Sequence, residues 1–393
     1  MQTRLLWVLL ISSAGNVWTL DAVTLPPILV GVSNVQSGPS RSLGQELLQG
    51  SMSYFKMINE QGGIHGRKIK VILKDDKYEP DPAIQNTNEL ITKEKVFFLF
   101  DYVGTPTLTR VLPLLRYYED QEVINVAPFT GADPQRMPPY DKYVLNIRAS
   151  YREETRRLVD YLYAKGFRRI GFLGQADAYG KSGEVGVKEA LKDHSLTLVE
   201  SVTYRRNETF SASMQAQVDL LRSKGADAVI AVGVYGPCGA FIRDARMAGW
   251  QVPIANVSFV NAQTMLAVLR ETSRKANVDL TANLINSQVV PFFADTQLPL
   301  VNAYRVHLST QPGFTSLEGW LNAVVVTEAL NRAGSNPSRQ SFIKAMESLG
   351  GWDPGIGYRL KFSHTEHQGL HQVWLTKTVR GEWVAEPDRP AAK

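Results

Sequence analysis

Two loops in the first third of the chain carry residue types that bind anions. Residues 101–107 follow a wholly apolar run and include Gly104, Thr105 and a following proline, and residues 128–132 follow the next apolar run and include Thr130. At a helix start, glycine lets the backbone approach a ligand closely, and free N–H groups with neighbouring hydroxyls hold an anion such as a carboxylate. Each loop alone is equally explained by helix capping. Two of them after neighbouring strands of one sheet indicate a carboxylate site.

A third loop, residues 174–182, resembles a phosphate-binding loop but has the wrong spacing. Five residues separate Gly174 from Gly180, whereas the nucleotide motif has one residue fewer between its glycines. No strand that ends in a metal-binding aspartate accompanies the loop. Nucleotide binding is therefore not expected, and Tyr179, at the turn from strand to helix, is predicted to face a ligand.

Three histidines near the C-terminus have a spacing that could form a metal site. His364, His367 and His371 lie at i, i+3 and i+7 and are accompanied by Glu366. Gly369 and strand-like segments on both sides favour a hairpin turn, and on a hairpin the three rings would not converge as they do on a helix. We therefore predict a solvated turn here and no bound metal.

No catalytic set is recognisable in the sequence. Thr315 and Glu318 stand before an apolar helix at the spacing of a capping box, and capping is the role predicted for them. The sequence lacks a nucleophile elbow, a zinc-protease helix and a dinucleotide-binding glycine motif. We therefore expect neither an enzyme nor a bound cofactor.

Alternating strand-like and helix-like segments position these loops. Strand-like runs in the first part of the chain cover residues 28–33, 68–74, 96–100, 123–127 and 143–147. The pattern restarts at Tyr151, and the later runs cover residues 169–173, 196–204, 227–233, 253–258, 359–362 and 372–375. Repeated strand–helix units predict the α/β class, here two doubly wound lobes with parallel sheets. Because no low-complexity linker is present, we expect tight crossings between the lobes, with ligands beyond the carboxyl ends of the strands.

Composition narrows the class of protein further. The chain has 393 residues, of which 44% are hydrophobic and 21% charged, so collagen-like, coiled-coil and largely disordered chains are excluded. Cys238 is the single cysteine, which excludes an intramolecular disulfide and a cysteine-rich zinc module. The net charge of +5 is mild, and no Lys/Arg run approaches a nucleic-acid patch. No nucleic-acid partner is expected.

The N-terminal segment has the pattern of a secretory signal peptide. A positive start at Arg4 precedes the apolar residues 5–11 and the small residues 12–15. A buried N-terminal strand is the alternative. The apolar stretch is shorter than a membrane span, and no cysteine follows it that would carry a lipid anchor. We predict a signal peptide over residues 1–22 and a soluble protein exported to the periplasm.

The chain resembles the type I periplasmic binding proteins of ABC importers, in particular the leucine/isoleucine/valine-binding branch. The similarity runs from about residue 28 to about residue 383. Its most specific stretches are residues 58–69, 75–80, 103–107, 128–132 and 177–181. Each stretch is weak alone, but the combination is specific to this family.

This resemblance implies a ligand held in a cleft between two lobes that are joined by three crossings. The crossings are expected near residues 147–148, 287–290 and 355–357. Lobe one would consist of residues 26–147 with 288–355, and lobe two of residues 148–287 with 356–388. The residues expected to contact the ligand are Tyr102, Val103, Gly104, Thr105, Phe129, Thr130, Gly131, Tyr179, Tyr235, Ser258 and Phe259.

By the same resemblance, the loops around Thr105 and Thr130 hold a ligand carboxylate from lobe one, and Tyr179 and Tyr235 close over it from lobe two. Amino-acid-binding members bond the ligand ammonium with an acid in the loop that here spans residues 256–261, which contains none. A buried ammonium without a counter-charge is costly. We therefore expect a small organic acid without an α-amino group, with branched-chain amino acids second. Three acids could replace the missing one if they point into the cleft: Asp101, Asp177 and Glu318.

Two functions fit this interpretation. The leading hypothesis is a monomeric periplasmic receptor that captures a small molecule and delivers it to inner-membrane ABC permease subunits. The alternative is a ligand-sensing domain that passes its occupancy to a signalling partner. Such a domain would need a tether or a transmembrane segment, and the sequence shows neither.

Overall fold

The computed structural model describes residues 25–387, which form two α/β lobes with mainly parallel sheets. The predicted fold class, two doubly wound lobes, is confirmed. The expected signal peptide, residues 1–22, lies outside the described residues. Within residues 25–387, no helix has both the length and the apolar character that crossing a lipid bilayer requires.

Lobe one is built on a five-stranded parallel sheet. Its strands are β1 (Ile28–Asn34), β2 (Ile69–Asp75), β3 (Phe98–Phe100), β4 (Asn125–Val126) and β5 (Val144–Leu145). Its first helices are α1 (Arg41–Glu60), α2 (Pro80–Thr92) and α3 (Thr105–Tyr117). The spatial order β2-β1-β3-β4-β5 reverses direction beside β1, and in such sheets the ligand crevice lies at the carboxyl ends of the strands at that point.

Lobe two is built on a seven-stranded sheet of order β12-β11-β10-β9-β8-β6-β7. Its strands are β6 (Ile170–Gln175), β7 (Glu200–Tyr204), β8 (Ala228–Val232), β9 (Ile254–Asn256), β10 (Leu284–Gln288), β11 (Trp374–Val379) and β12 (Glu382–Glu386). Its helices are α4 (Tyr151–Ala164), α5 (Ala178–Asp193), α6 (Gln215–Ser223), α7 (Tyr235–Met247) and α8 (Ala262–Ala276). Strands β6 to β10 are parallel, and β11 and β12 extend the sheet antiparallel.

The central strands are apolar along their whole length because helices cover both faces of each sheet. Every residue of β3 and of β8 is buried. A strand buried on both faces has no polar side to alternate with, so it appears in the sequence as a continuous apolar run. Because of these apolar runs, both strands could be predicted from the sequence.

After β10 the chain returns to lobe one and adds three helices there. These are α9 (Pro299–His307), α10 (Phe314–Ala333) and α11 (Arg339–Glu347). Helix α10 packs against α1, and nearly all of its length is buried. The chain therefore crosses between the lobes after β5 and again after β10, close to the expected residues 147–148 and 287–290.

The third crossing differs from the expected position at residues 355–357. Gly355 and Gly357 lie in a turn of lobe one, where the Asp353 carboxylate accepts hydrogen bonds from both of their N–H groups at 2.8 and 3.1 Å. Further along, the N–H groups of Gly369 and Leu370 donate to the first crossing. We therefore propose that the third crossing lies between Leu370 and β11, and that lobe one includes residues 356–370.

The hairpin predicted around the histidines is present as a tight turn, in which Ser363 and Glu366 exchange backbone hydrogen bonds, but its predicted flanking strands are not both formed. Residues 359–362 do not form a strand, and between residues 363 and 366 only a single bridge is present in the described chain. A longer hairpin joins β11 to β12 through a turn at Arg380 and Gly381, both of which have positive φ. Strand β11 also pairs with β10, and this tertiary contact fixes its position in the sheet.

Two glycines allow α1 and α10 to pack with their backbones in contact. A Cβ atom on Gly50 would lie 1.8 Å from the carbonyl oxygen of Ser316. A Cβ atom on Gly319 would lie 1.9 Å from the carbonyl oxygen of Leu47. Neither distance leaves room for a methyl group, so this helix pair depends on glycine at both positions.

We expect Gly50→Ala to lower the free energy of unfolding by about 3 kcal/mol, because the added methyl group forces α1 and α10 apart. Urea unfolding followed by circular dichroism measures this change. Lys56→Ala, on the exposed face of α1, is the matched control and should change stability by less than about 0.5 kcal/mol. A Gly50→Ala protein as stable as the wild type would contradict the close helix contact.

Candidate functional site

The two loops of lobe one that are predicted to bind an anion, residues 101–107 and 128–132, lie side by side at the carboxyl end of the sheet. Val103 and Phe129 form a parallel bridge, and the Gly104 N–H donates to the Phe129 carbonyl at 3.2 Å. The hydroxyls of Thr105 and Thr130 are hydrogen-bonded at 2.7 Å, and both side chains are buried. The structure therefore brings together the two threonines that the sequence identified separately.

Helix α3 begins at Thr105 with a terminus that no side chain caps within the described residues. The Thr107 hydroxyl lies 2.5 and 2.8 Å from the carbonyls of Val103 and Gly104, to which it donates. The first N–H groups of a helix carry partial positive charge and attract anions. The Thr105 end of lobe one is therefore suited to a carboxylate.

The glycines in these loops make room for aromatic rings. A Cβ atom on Gly104, whose φ is +102°, would lie 2.2 Å from the ring of Tyr78. A Cβ atom on Gly131 would lie 2.6 Å from the ring of Tyr151. The sequence predicts that Gly104 lets a ligand approach. In the structure, the space that a side chain at this position would occupy is filled by Tyr78.

An aromatic cluster, which consists of Tyr78, Phe129, Tyr151, Tyr179 and Phe259, joins the two lobes. The ring of Phe259 lies 4.9 Å from that of Phe129, 4.7 Å from that of Tyr179 and 6.3 Å from that of Tyr78, measured between centroids. Tyr151 and Tyr179 are 5.2 Å apart. All five side chains are buried, so three predicted site residues, Phe129, Tyr179 and Phe259, meet at the middle of the cleft.

A buried ion cluster lies next to these rings. The Arg148 guanidinium, 2% exposed, contacts Glu154 Oε1 at 3.0 Å and Glu318 Oε1 at 3.4 Å. Arg148 also donates to the Ser258 hydroxyl and lies 4.8 Å from the centre of the Phe129 ring. Its Nε is buried without a hydrogen-bond partner in the described chain. Arg148, on the first crossing, therefore connects α4 of lobe two to α10 of lobe one.

Of the three acids that could replace the missing one, only Glu318 lies in this ion cluster. Asp101 is buried inside lobe one, where it accepts hydrogen bonds from Ser51 and Asn322. Asp177 caps α5 by accepting from the Tyr179 N–H at 2.9 Å. The capping box predicted for Thr315 and Glu318 is wrong, because α10 already begins at Phe314.

Burial raises the pKa of Glu318 from 4.5 to about 7, and the positive charge of Arg148 only partly opposes this shift. The carboxyl is therefore largely neutral in the folded protein at mildly acidic pH. Glu154, the other acid of the ion cluster, accepts hydrogen bonds from the Ser258 N–H at 2.8 Å and from the Ser287 hydroxyl at 2.6 Å.

Two predicted site residues lie away from this centre. Tyr102 is buried in the interior of lobe one, and its hydroxyl is hydrogen-bonded to Thr87 at 2.9 Å. Tyr235 is partly exposed, and its hydroxyl donates to the Pro39 carbonyl of the opposite lobe at 2.5 Å. Tyr235 thus contacts the opposite lobe, whereas Tyr102 is part of the core of lobe one.

The sequence did not identify four residues of the aromatic cluster and the ion cluster as site residues: Tyr78, Arg148, Tyr151 and Glu154. Arg148 and Tyr151 stand at the first crossing, and their position there is a signal that could have identified them. Glu154 follows the Ser150–Glu153 capping box of α4, so its local sequence indicates only a helix start. Tyr78 belongs to no recognisable motif, because Phe259 and Gln175, which contact it across the cleft, come from the other lobe.

An interlobe pocket with a volume of about 590 Å³ begins beside the threonine pair. Thr105 and Ala132 contribute to its wall in lobe one. Arg152, Ala178 and Lys181 contribute to its wall in lobe two. Ala178 and Lys181 belong to the first turn of α5, so the N-terminal turns of α3 and α5 face the same space from opposite lobes.

The loop that resembles a phosphate-binding loop does not form a phosphate cradle. Only Ala176 and Asp177 separate β6 from α5, and Gly180 already lies in the helix. The backbone of Gly180 therefore cannot line a loop around a phosphate. Tyr179, which follows Asp177 closely, directs its ring into the aromatic cluster instead.

The three histidines are spread along a turn, where His364 and His367 both lie near the Glu347 carboxylate, at 3.7 and 3.4 Å. His364 is 92% exposed. The imidazole of His367 is hydrogen-bonded to the Asp141 carbonyl at 2.9 Å, and that of His371 to Glu153 at 2.6 Å. Residues 25–387 contain no group of histidine, cysteine, aspartate and glutamate side chains that is arranged to hold a metal ion.

Direct polar contacts also hold the lobes together outside the crossings. Glu79 of lobe one accepts hydrogen bonds from Arg206 and Asn207 of lobe two, both at 2.7 Å. Glu46 of lobe one accepts from the Thr264 hydroxyl of lobe two at 2.7 Å. The structure is therefore a closed arrangement of the two lobes.

Glu318→Gln should change the pH dependence of stability. The wild-type carboxyl holds its proton up to a pH of about 7 when folded but only to about 4.5 when unfolded, so its contribution to stability falls as the pH rises between these values. The wild type should therefore lose up to roughly 3 kcal/mol relative to Glu318→Gln over this window. Urea unfolding at half-unit pH steps measures the difference. Parallel profiles for the two proteins would contradict a raised pKa at Glu318.

The sequence is similar to known proteins over most of its length. The family model described as periplasmic binding protein matches residues 27–382. Leu/Ile/Val-binding protein homolog 7 of Brucella suis is 26% identical over 345 residues, which cover 83% of this chain and 82% of that protein. An amino acid binding protein of Pseudomonas aeruginosa is 25% identical over 248 residues, which cover 60% of this chain and 62% of that protein.

The solved structures agree with the family match. A possible leucine/isoleucine/valine-binding protein from Rhodopirellula baltica superposes with a TM-score of 0.83 at 31% identity, over 93% of this chain and 97% of that one. A branched chain amino acid ABC transporter protein from Thermus thermophilus with bound valine has a TM-score of 0.82 at 17% identity, over 93% and 98% of the two chains, and so shares the fold. The chain belongs to the periplasmic binding protein family.

Proposed function

We propose that this chain, a solute-binding receptor of the periplasmic binding protein family, captures a small carboxylate-bearing molecule between its lobes and delivers it to an ABC permease in the inner membrane. The observation that carries this proposal is the interlobe pocket at the ends of α3 and α5. Its walls come from both lobes, so a ligand there contacts both and stabilises the closed form. The N-terminal signal pattern supports export to the periplasm as the place of action.

The carboxylate is proposed to bind at the start of α3. The hydroxyls of Thr105 and Thr130 lie 2.7 Å apart and can rotate to donate to an anion. The uncapped first turn of α3 adds N–H groups and the positive end of the helix dipole. Hydrogen bonds to a charged group are stronger than neutral ones, so this end of the pocket supplies the polar part of the affinity.

Closure is proposed to act as a population shift. The pairs Glu79–Arg206 and Glu46–Thr264 each join one lobe to the other and would break when the cleft opens. A ligand that contacts both lobes raises the population of the closed form by its differential affinity for that form. A permease that recognises the closed arrangement of the lobe surfaces would then distinguish loaded from empty receptor.

The charges around the cleft favour an acid without an α-amino group over an amino acid. Loop residues 256–261 contain no acid, and Glu154, which lies against that loop, is already neutralised by Arg148. Glu318 faces the same guanidinium, and its raised pKa reduces its negative charge. A ligand ammonium would therefore find no free counter-charge in these groups.

We expect 4-methylpentanoate and 3-phenylpropanoate to raise the melting temperature of the purified protein by several degrees, and leucine and phenylalanine to raise it less. A thermal-shift panel at equal concentrations measures this, since a ligand that binds only the folded state stabilises it by mass action. Stabilisation by the amino acids alone would overturn the organic-acid proposal but retain a carboxylate-binding receptor.

Thr105→Val should weaken carboxylate binding by about tenfold to 100-fold, because it removes one hydrogen bond to a charged group without changing side-chain shape. Thr105→Ser keeps the hydroxyl and is the matched control, with affinity close to that of the wild type. Isothermal titration calorimetry with the acid that stabilises the protein most measures both variants. Equal affinities for wild type and Thr105→Val would remove Thr105 from the site.

A further inference from the structure

The walls of the interlobe pocket beyond Thr105 expose mainly apolar surface, although Thr109, Tyr140 and Ser182 also line them. Pro134, Met137, Pro138 and Pro139 contribute to the wall in lobe one, and Val185 contributes to the wall in lobe two. Proline has no N–H group, so this stretch of backbone offers few hydrogen-bond donors to a ligand. The surface that the pocket offers to a ligand beyond the threonine pair is thus mainly apolar.

The charged side chains at the pocket have partners within the protein. Arg152 contacts Asp133 at 2.8 Å and also pairs with Glu189. Lys181 is exposed and lies 3.3 Å from Glu184. Arg152 thus has two acidic partners, whereas Lys181 shares Glu184 with Lys188, which lies 2.7 Å from that carboxylate. A second charged group on the ligand would have to displace one of these pairs, whereas an uncharged tail would not.

We propose that the interlobe pocket is a subsite for an extended apolar tail, and that the ligand is an amphipathic carboxylate such as a medium-chain alkanoate. This inference rests on the proposed function, because the carboxylate at Thr105 and Thr130 fixes the end from which the tail extends. The pocket is continuous with that end, since Thr105 lines it and the Ala132 N–H donates to the Thr130 hydroxyl. Its volume of about 590 Å³ lies within the range of small-molecule sites, roughly 300–1,000 Å³.

The tail subsite predicts that affinity rises with chain length. Burial of one methylene contributes about 0.8 kcal/mol, which corresponds to about a fourfold gain in affinity. Between butanoate and octanoate, four methylenes should therefore give a gain on the order of 100-fold. Isothermal titration calorimetry with the straight-chain acids from butanoate to octanoate measures this ratio on the full-length protein.

Two substitutions that fill the pocket test its location. Val185→Trp fills it from lobe two, and Met137→Trp fills it from a lobe-one position that is 55% exposed and therefore tolerant of change. Both should reduce the octanoate-to-butanoate affinity ratio at least tenfold. Lys192→Trp places the same side chain on the exposed face of α5 and should keep the wild-type ratio.

The outcomes separate this inference from the proposed function. A wild-type protein that binds butanoate with no gain for octanoate would overturn the tail subsite and leave the carboxylate receptor standing. A full chain-length gain in both Val185→Trp and Met137→Trp would show that the tail lies elsewhere. Binding of no carboxylate in the series, together with binding of another solute class, would overturn the proposed function itself.

Discussion

The buried guanidinium of Arg148 is the constraint that determines how the two lobes meet. A charge with 2% exposure is tolerated only if it is paired and hydrogen-bonded, because its hydration is lost. Its partners come from both lobes, Glu154 from α4 and Glu318 from α10. Glu154 in turn holds the Ser287 hydroxyl at the end of β10. One charge on the first crossing thus fixes a helix of each lobe and the approach to the second crossing.

The fold was largely predictable because its signals are local. Parallel strands covered by helices on both faces appear as apolar runs, and β3 and β8 were found where such runs stand. The position that we propose for the third crossing differs from the expected one for a physical reason. The family resemblance places it at residues 355–357, but the Asp353 carboxylate accepts hydrogen bonds from the N–H groups of Gly355 and Gly357 in a turn of lobe one. The sequence alone does not distinguish a side chain that organises a turn from a side chain that is solvated.

The candidate site was predictable only in the part that single loops supply. Thr105 and Thr130 follow neighbouring strands, so the order of the sheet alone brings them together. Tyr78 and Glu154 could not be found in this way, because their roles arise from contacts with the opposite lobe or with the crossing. The same limit applies to Gly104, where the sequence indicates that glycine is needed but not which residue imposes the need. The neighbour that excludes a side chain there is Tyr78, far away in the sequence.

The close packing of α1 and α10 connects the interior of lobe one to the cleft. Gly319 touches the carbonyl of Leu47 in α1, and Glu318, the preceding residue, faces Arg148. Because the helix backbone carries both residues, the depth at which α10 lies against α1 also sets the distance between Glu318 and the guanidinium. A shift of α10 away from α1 would therefore move a carboxylate relative to a buried charge. The glycines of this helix pair contribute in this way to the electrostatics of the cleft as well as to the core of lobe one.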